Sequence, residues 1–181
     1  MHAMDGNTNT SDGDKSRNHH LIVMRADEGQ ALWHLGTLVI FKATGVDTGD
    51  QFALSDNYAR QGVGPMLHVH ERDDESFYVL EGEIGFQVGD ETISASAGDF
   101  LILPYGVPHR FWVKSERARF LVLSTPAGLD RFIQATAKPA LTRTLPPPPA
   151  GPPSLQEYEQ LVNTAHKYGY EILGPPSGGT M

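Results

Sequence analysis

The sequence predicts an all-β domain, an antiparallel sandwich or barrel, with helices only at its C-terminal end. Three observations carry that prediction. Short apolar runs broken by Gly, Asp and Pro recur from His20 to about Leu123, almost no helical periodicity lies between them, and an i, i+3, i+4, i+7 apolar pattern begins only after Thr125. A chain of 181 residues suits one domain with a sizeable core.

Taken in order, residues 1–20 are polar throughout, lack the apolar stretch of a signal peptide and read as a disordered leader ending in His19 and His20. Residues 21–136 read as the barrel and its following helix. Strands are expected at 21–24, 38–43, 51–54, 66–69, 76–80, 84–88, 100–103, 109–113 and 120–123, with turns at Gly36, Gly49-Asp50, Gly62 to Pro65, Gly82, Gly89-Asp90, Gly98-Asp99 and Pro104 to Pro108. Thr125-Pro126 supplies an expected N-cap with Pro at the first helical position, followed by a buried stripe of Leu129, Phe132, Ile133 and Thr136. Residues 137–153 hold the run PPPPAGPP, expected to be a semi-rigid extended spacer. Within 154–181, Ser154-Leu155-Gln156-Glu157 has the capping-box pattern, and Leu155, Tyr158, Leu161, Val162 and Ala165 form a stripe expected to dock on the barrel.

Composition excludes several functions. The chain has no cysteine, so disulfides, thiol nucleophiles and cysteine-ligated metals are ruled out, and any metal must be held by nitrogen and oxygen. Lys+Arg number 14 against 22 Asp+Glu, a net charge of −8, which disfavours phosphate-rich nucleic acid and anionic membrane surfaces. A cytoplasmic location is expected, and the apolar edges offered by residues 21–43 suggest pairing into a homodimer.

The chemistry concentrates between Gly62 and His109. His68 and His70 are two apart on one expected strand, so both imidazoles lie on the same face, about 6–7 Å apart along the backbone. The turn Glu71-Arg72-Asp73-Asp74 reverses the chain, and Glu75 opens the next strand, where its carboxylate can reach the same ion. Glu71, Asp73 and Asp74 themselves read as a solvated turn. Downstream, Gly98, Pro104, Gly106 and His109 recur at intervals that place a third imidazole beside a sharp turn.

The stretches GVGPMLHVHERDDESFYVLEG and GDFLILPYGVPH resemble the two motifs of the cupin superfamily. The resemblance implies a double-stranded β-helix, or jelly-roll, barrel in which His68, His70, Glu75 and His109 bind one divalent metal ion inside the mouth. Val113 stands where the second motif usually ends in Asn, which leaves the pocket more apolar without removing a ligand. Within the superfamily, HVHERDDESFYVLEGEIGFQVGDE, GVPHRFWV, TPAGLDRF and YGYEILGPP look most like the single-domain quercetin 2,3-dioxygenase-like group. That likeness implies oxidative ring opening of a flavonol by O2 with loss of carbon monoxide, Glu75 taking the substrate's proton.

Iron, manganese, nickel, cobalt or copper would suit such chemistry; zinc, which is redox-inert, would instead suit a non-oxidative isomerase, cyclase or lyase. A small-molecule-binding protein without turnover is a third reading. Strand parity sets Phe77, Phe86 and Phe111 on the face of Glu75 and His109, and Phe52, Tyr58 and Met66 are added as expected substrate contacts. Arg110 and Lys114 fall on the opposite face, so a phosphosugar is disfavoured.

Overall fold

The computed structural model describes residues 21–149 and 151–174. The expected leader, with His19 and His20, and the end of the tail lie outside the described residues. Two antiparallel sheets face each other. One runs, in spatial order, from β11 (Lys138–Pro139) through β1 (Gln30–His34), β2 (Thr37–Ala43), β3 (Ala53–Arg60), β10 (Arg117–Thr125) and β5 (Asp74–Glu81) to β8 (Phe100–Leu103). The other runs from β12 (Tyr170–Ile172) through β4 (His68–His70), β9 (His109–Val113) and β6 (Glu83–Val88) to β7 (Glu91–Ser96). Chain neighbours such as β4 and β5 lie in different sheets, so the expected sandwich is a jelly roll.

Alternation along each strand builds the core. In β10 the residues Ala118, Phe120, Val122 and Ser124 are buried, and their odd-numbered neighbours are not. Phe77, Phe86, Phe111 and Phe120 pack edge-on or stacked, with Phe77 to Phe86 centroids 5.0 Å apart. Val113, the departure from the motif, is buried in this same cluster. Gly64, just before β4, admits no side chain: a Cβ would sit 1.9 Å from the Phe111 carbonyl oxygen.

Helices close one end of the sandwich. α1 (Gly45–Thr48) is a single turn, whereas α2 (Leu129–Thr136) and α3 (Leu155–Lys167) pack Phe132, Ile133 and Ala165 against Leu32, Val39, Phe41 and Tyr170 in a second apolar cluster. Ser154 caps α3 as expected, accepting from the Glu157 amide at 3.2 Å while the Glu157 carboxylate accepts from the Ser154 amide at 2.8 Å.

Several expectations are corrected. Residues 21–24 form no strand; their apolar side chains are exposed. Thr125 ends β10 rather than capping a helix, and α2 starts at Leu129 after Gly128. Strands β1, β7, β11 and β12 had no expected counterpart; β1 has only three apolar residues between Gln30 and His34, and β7 is a largely exposed run rich in small and polar ones. Leu155 is 82% exposed, so the docking stripe of α3 begins further along. The segment read as a spacer is pinned to the first sheet. The Ala140 amide donates to Ala31 O, Trp33 Nε1 to Thr144 O, and Arg60 Nη1 to Pro146 O.

Candidate metal centre and its cavity

His68 and His70 lie on β4, Glu75 near the start of β5, and His109 at the start of β9, where it pairs directly with His68. One nitrogen or oxygen from each of the four lies within 4.8 Å of all the others. The turns hold them there. The Gly106 amide donates to His70 O at 2.7 Å, tying the loop before β9 to β4, and the Tyr105 amide donates to Asp74 Oδ1 at 2.9 Å.

Each imidazole is oriented by its other nitrogen. Nδ1 of His68 faces Met66 O at 2.8 Å, Nδ1 of His109 faces Val107 O at 2.9 Å, and Nδ1 of His70 faces Asp73 Oδ2 at 3.0 Å. Carbonyls and carboxylates only accept, so all three Nδ1 atoms carry a proton, and in the neutral rings each Nε2 presents a lone pair. The Nε2 atoms of His68 and His70 stand 3.1 Å apart, and the buried Nε2 of His109 has no hydrogen-bond partner among the described residues. Glu75 Oε2 lies 3.4 Å from His109 Nε2 and 3.9 Å from His70 Nε2. Converging lone pairs with an anion beside them are repulsive unless a cation sits among them, so the donor set fits a divalent ion with nitrogen and oxygen ligands.

The electrostatics favour positive charge at the centre while keeping His68 neutral. Burial, and then the neighbouring His70 and His109, push the His68 pKa down to about 3. Burial works against charge on His70, but the Asp73 hydrogen bond and the Glu75 carboxylate raise its pKa above the ordinary value. Burial would raise Glu75, yet His109, His70 and His68 hold its carboxyl below the usual range, ionised at neutral pH.

Asp73 corrects the reading of its turn as solvated. It is buried, bonds His70, and accepts the Tyr170 hydroxyl at 3.1 Å through its other oxygen. Tyr170 comes from β12, whose register sets it opposite His70. Burial and the Asp73 carboxylate raise its pKa, keeping it a donor. The signal for Asp73 was its position three residues after a ligand; nothing local marks Tyr170. Ser124, register partner of Glu75, is a further buried neighbour, with a hydroxyl that makes no hydrogen bond among the described residues.

The centre opens into a cavity of ≈ 100 Å³ between the sheets and the helices, smaller than the about 300–1,000 Å³ usual for drug-sized ligands. Of the six expected substrate contacts, Met66 and Phe111 line it. Phe77 and Phe86 are fully buried beneath Phe111 in the core. Tyr58 faces away, because Ser55 and Asn57, on the opposite face of β3, line the cavity; its ring lies under the Arg119 guanidinium at 5.2 Å instead. Phe52 precedes β3 and is tied to the α1 turn, its carbonyl accepting from the Thr48 hydroxyl at 2.6 Å. The helical wall of Leu129, Phe132, Ile133 and Leu161 was not foreseen as part of the site.

Comparison with known proteins agrees with this geometry. The cupin domain family matches residues 57–124. A quercetin 2,3-dioxygenase of Bacillus subtilis is 25% identical over 117 residues, 65% of this chain and 35% of its own length. An acireductone dioxygenase of Yarrowia lipolytica is 34% identical over 101 residues, 53% of this chain and 51% of its own. The chain thus spans about a third to a half of the curated relatives it matches. Among solved structures, a predicted oxalate decarboxylase from Thermotoga maritima superposes with a TM-score of 0.54 at 18% identity, over 58% of this chain and 99% of that one. At that identity the likeness concerns the fold. No helix among the described residues is long and apolar enough to cross a membrane.

Proposed function

We propose that this chain, which belongs to the cupin superfamily, is a metal-dependent dioxygenase that opens an enolic or phenolic ring compound of the flavonol type with O2. The observation that carries the reading is the convergence of three imidazole Nε2 atoms and one carboxylate at one side of a cavity that His68 and Glu75 line. Similarity to two enzymes named as dioxygenases supports it. Held by His68, His70, Glu75 and His109, a redox-capable divalent ion supplies Lewis-acid acidification of a substrate hydroxyl and a route for electrons to O2.

The residues of the chain do the rest. Glu75 is the base: it is buried and ionised, and its Oε1 accepts no hydrogen bond among the described residues, so it can take the substrate hydroxyl's proton. The Nδ1 bonds to Met66, Val107 and Asp73 keep the three rings from turning, which leaves their lone pairs on the centre. Phe111 and Met66 on one side, with Phe132, Ile133 and Leu161 on the other, orient a flat ring and restrict water. Both atoms of O2 enter the products, and one substrate carbon leaves as carbon monoxide, so no further oxidant is required.

The test is oxygen uptake by full chain loaded in turn with iron, manganese, nickel, cobalt or copper, in the presence of quercetin. Uptake should match flavonol loss mole for mole, and Glu75→Gln should slow it by at least about a hundredfold, the low end for a lost acid–base group. Absence of uptake with every metal contradicts the proposal. Turnover without O2 by the zinc form would move the chain to the isomerase, cyclase or lyase class, and saturable binding without product to a binding protein.

A further inference from the structure

His34, Thr37, Ser55 and Asn57 line the cavity from the sheet that faces the histidines. They come from three adjacent strands. His34 of β1 pairs with Thr37 of β2, and Val39, two residues along the same face, pairs with Asn57 of β3. Thr37, Ser55 and Asn57 are buried, a costly position for polar groups in an apolar cavity unless each is bonded or serves a ligand.

A count of protons shows what these residues leave over. The two protons on Asn57 Nδ2 are drawn to Ser55 Oγ at 2.9 Å, Ser55 O at 3.2 Å and Phe120 O at 3.4 Å. The amide's donors are therefore consumed in the wall, while Oδ1 makes no hydrogen bond among the described residues. The Thr136 hydroxyl has one proton, directed at Phe132 O over 2.8 Å, so its 3.0 Å contact with His34 Nε2 must be donated by the imidazole. His34 is then the Nε2–H tautomer, with a bare lone pair on Nδ1 that likewise has no partner among the described residues. The edge-on Phe132 ring, 5.7 Å away, helps fix the imidazole plane. Burial keeps the group neutral at physiological pH by lowering its pKa to about 4.

We propose that His34 Nδ1 and Asn57 Oδ1 are two acceptors that recognise hydroxyl groups on an apolar ring, each taking one phenolic or alcoholic O–H of the ligand as its donor. A carboxylate placed against these two atoms would meet lone pairs, and among the described residues no Lys or Arg lines the cavity to neutralise an anion. Such a site discriminates by rejecting the analogue that lacks the hydroxyls, whose binding would leave both acceptors unpaired. Where the ligand is a flavonol, the assignment rests on the function proposed above; the acceptor pair stands without it.

The experiment uses full chain with added zinc and ring-15N-labelled histidine, phenol as the probe and toluene as the control. Phenol should move the His34 Nδ1 resonance upfield, as hydrogen bonding to a bare imidazole nitrogen does, and toluene should not. His34→Leu should weaken phenol binding about tenfold, the effect of one lost hydrogen bond to a buried acceptor, and leave toluene unchanged. A Nδ1 resonance that stays put up to the solubility limit of phenol, or responds equally to both probes, overturns the proposal, and this readout needs no variant. In a second arm, the same substitution should weaken quercetin about tenfold and spare 3-hydroxyflavone, which keeps the chelating oxygens but lacks the other hydroxyls. If neither flavonol binds, the proposed function fails, while the phenol result still decides the acceptor pair.

Discussion

On the histidine-bearing side of the cavity, each imidazole is pinned by a carbonyl or carboxylate two or three residues from it, and tight turns hold the strands. On the helical side, Phe132, Ile133 and Ala165 hold their place by apolar contact with Leu32, Val39, Phe41 and Tyr170, residues far away in sequence. The first wall is polar and locally specified; the second is apolar and assembled over long range. Metal affinity and cavity shape should therefore respond to different substitutions, with Tyr170 as the junction, since it packs in the apolar cluster and bonds Asp73.

The largest break in the comparison should come from Phe132→Ala. Truncating this buried ring should lower unfolding free energy by about 3 kcal/mol in chemical denaturation, the low end for a buried aromatic because the ring already borders a cavity. Zinc affinity measured by chelator competition should change less than about threefold, as the two walls are distinct.

Acid should act next most strongly, through His34. Its folded pKa of about 4 lies below the ordinary 6.5, so between those values the unfolded chain binds a proton that the folded chain refuses. Stability is then fully present above about pH 6.5 and falls as pH drops toward 4, by on the order of 2 kcal/mol from this group. Denaturation of wild type and His34→Leu across that window should show a shallower slope in the variant.

Asp73→Asn keeps the shape of the side chain and removes its charge. It should weaken zinc binding about tenfold, the usual effect of losing the partner that orients a ligating imidazole. Tyr170→Phe should be smallest, a loss of a few-fold in zinc affinity with about 1 kcal/mol of stability. Equal effects of Asp73→Asn and Phe132→Ala on metal binding would dissolve the distinction between the walls.

The same contrast explains what could be read from the sequence. His68, His70 and Glu75 were legible because their spacing is local, one strand, one turn and the next strand, and His109 because its own Gly and Pro turn stands directly before it. The strands at 100–103 and 109–113 were placed to the residue for the same reason, each an apolar run between turn residues. Asp73 was misread because a carboxylate in a charged turn resembles a solvated one, and only the arrival of β12 buries it. Tyr170, His34 and the helical wall carry no local mark, since their roles arise from pairings such as Tyr170 with His70 across about a hundred residues. Tyr58 was drawn to the wrong face because the start of β3 was set too early, which shifted attention from the small inward series Ala53, Ser55, Asn57 and Ala59.

The central claim is that these four donors form one divalent-metal site. Metal content per chain, measured after exhaustive dialysis of wild type and of the His68→Ala/His109→Ala variant, tests it most directly. One ion per chain in the wild type and none in a folded variant is the result expected when two of four ligands are removed. Retention of the full complement by the double variant would contradict the site itself.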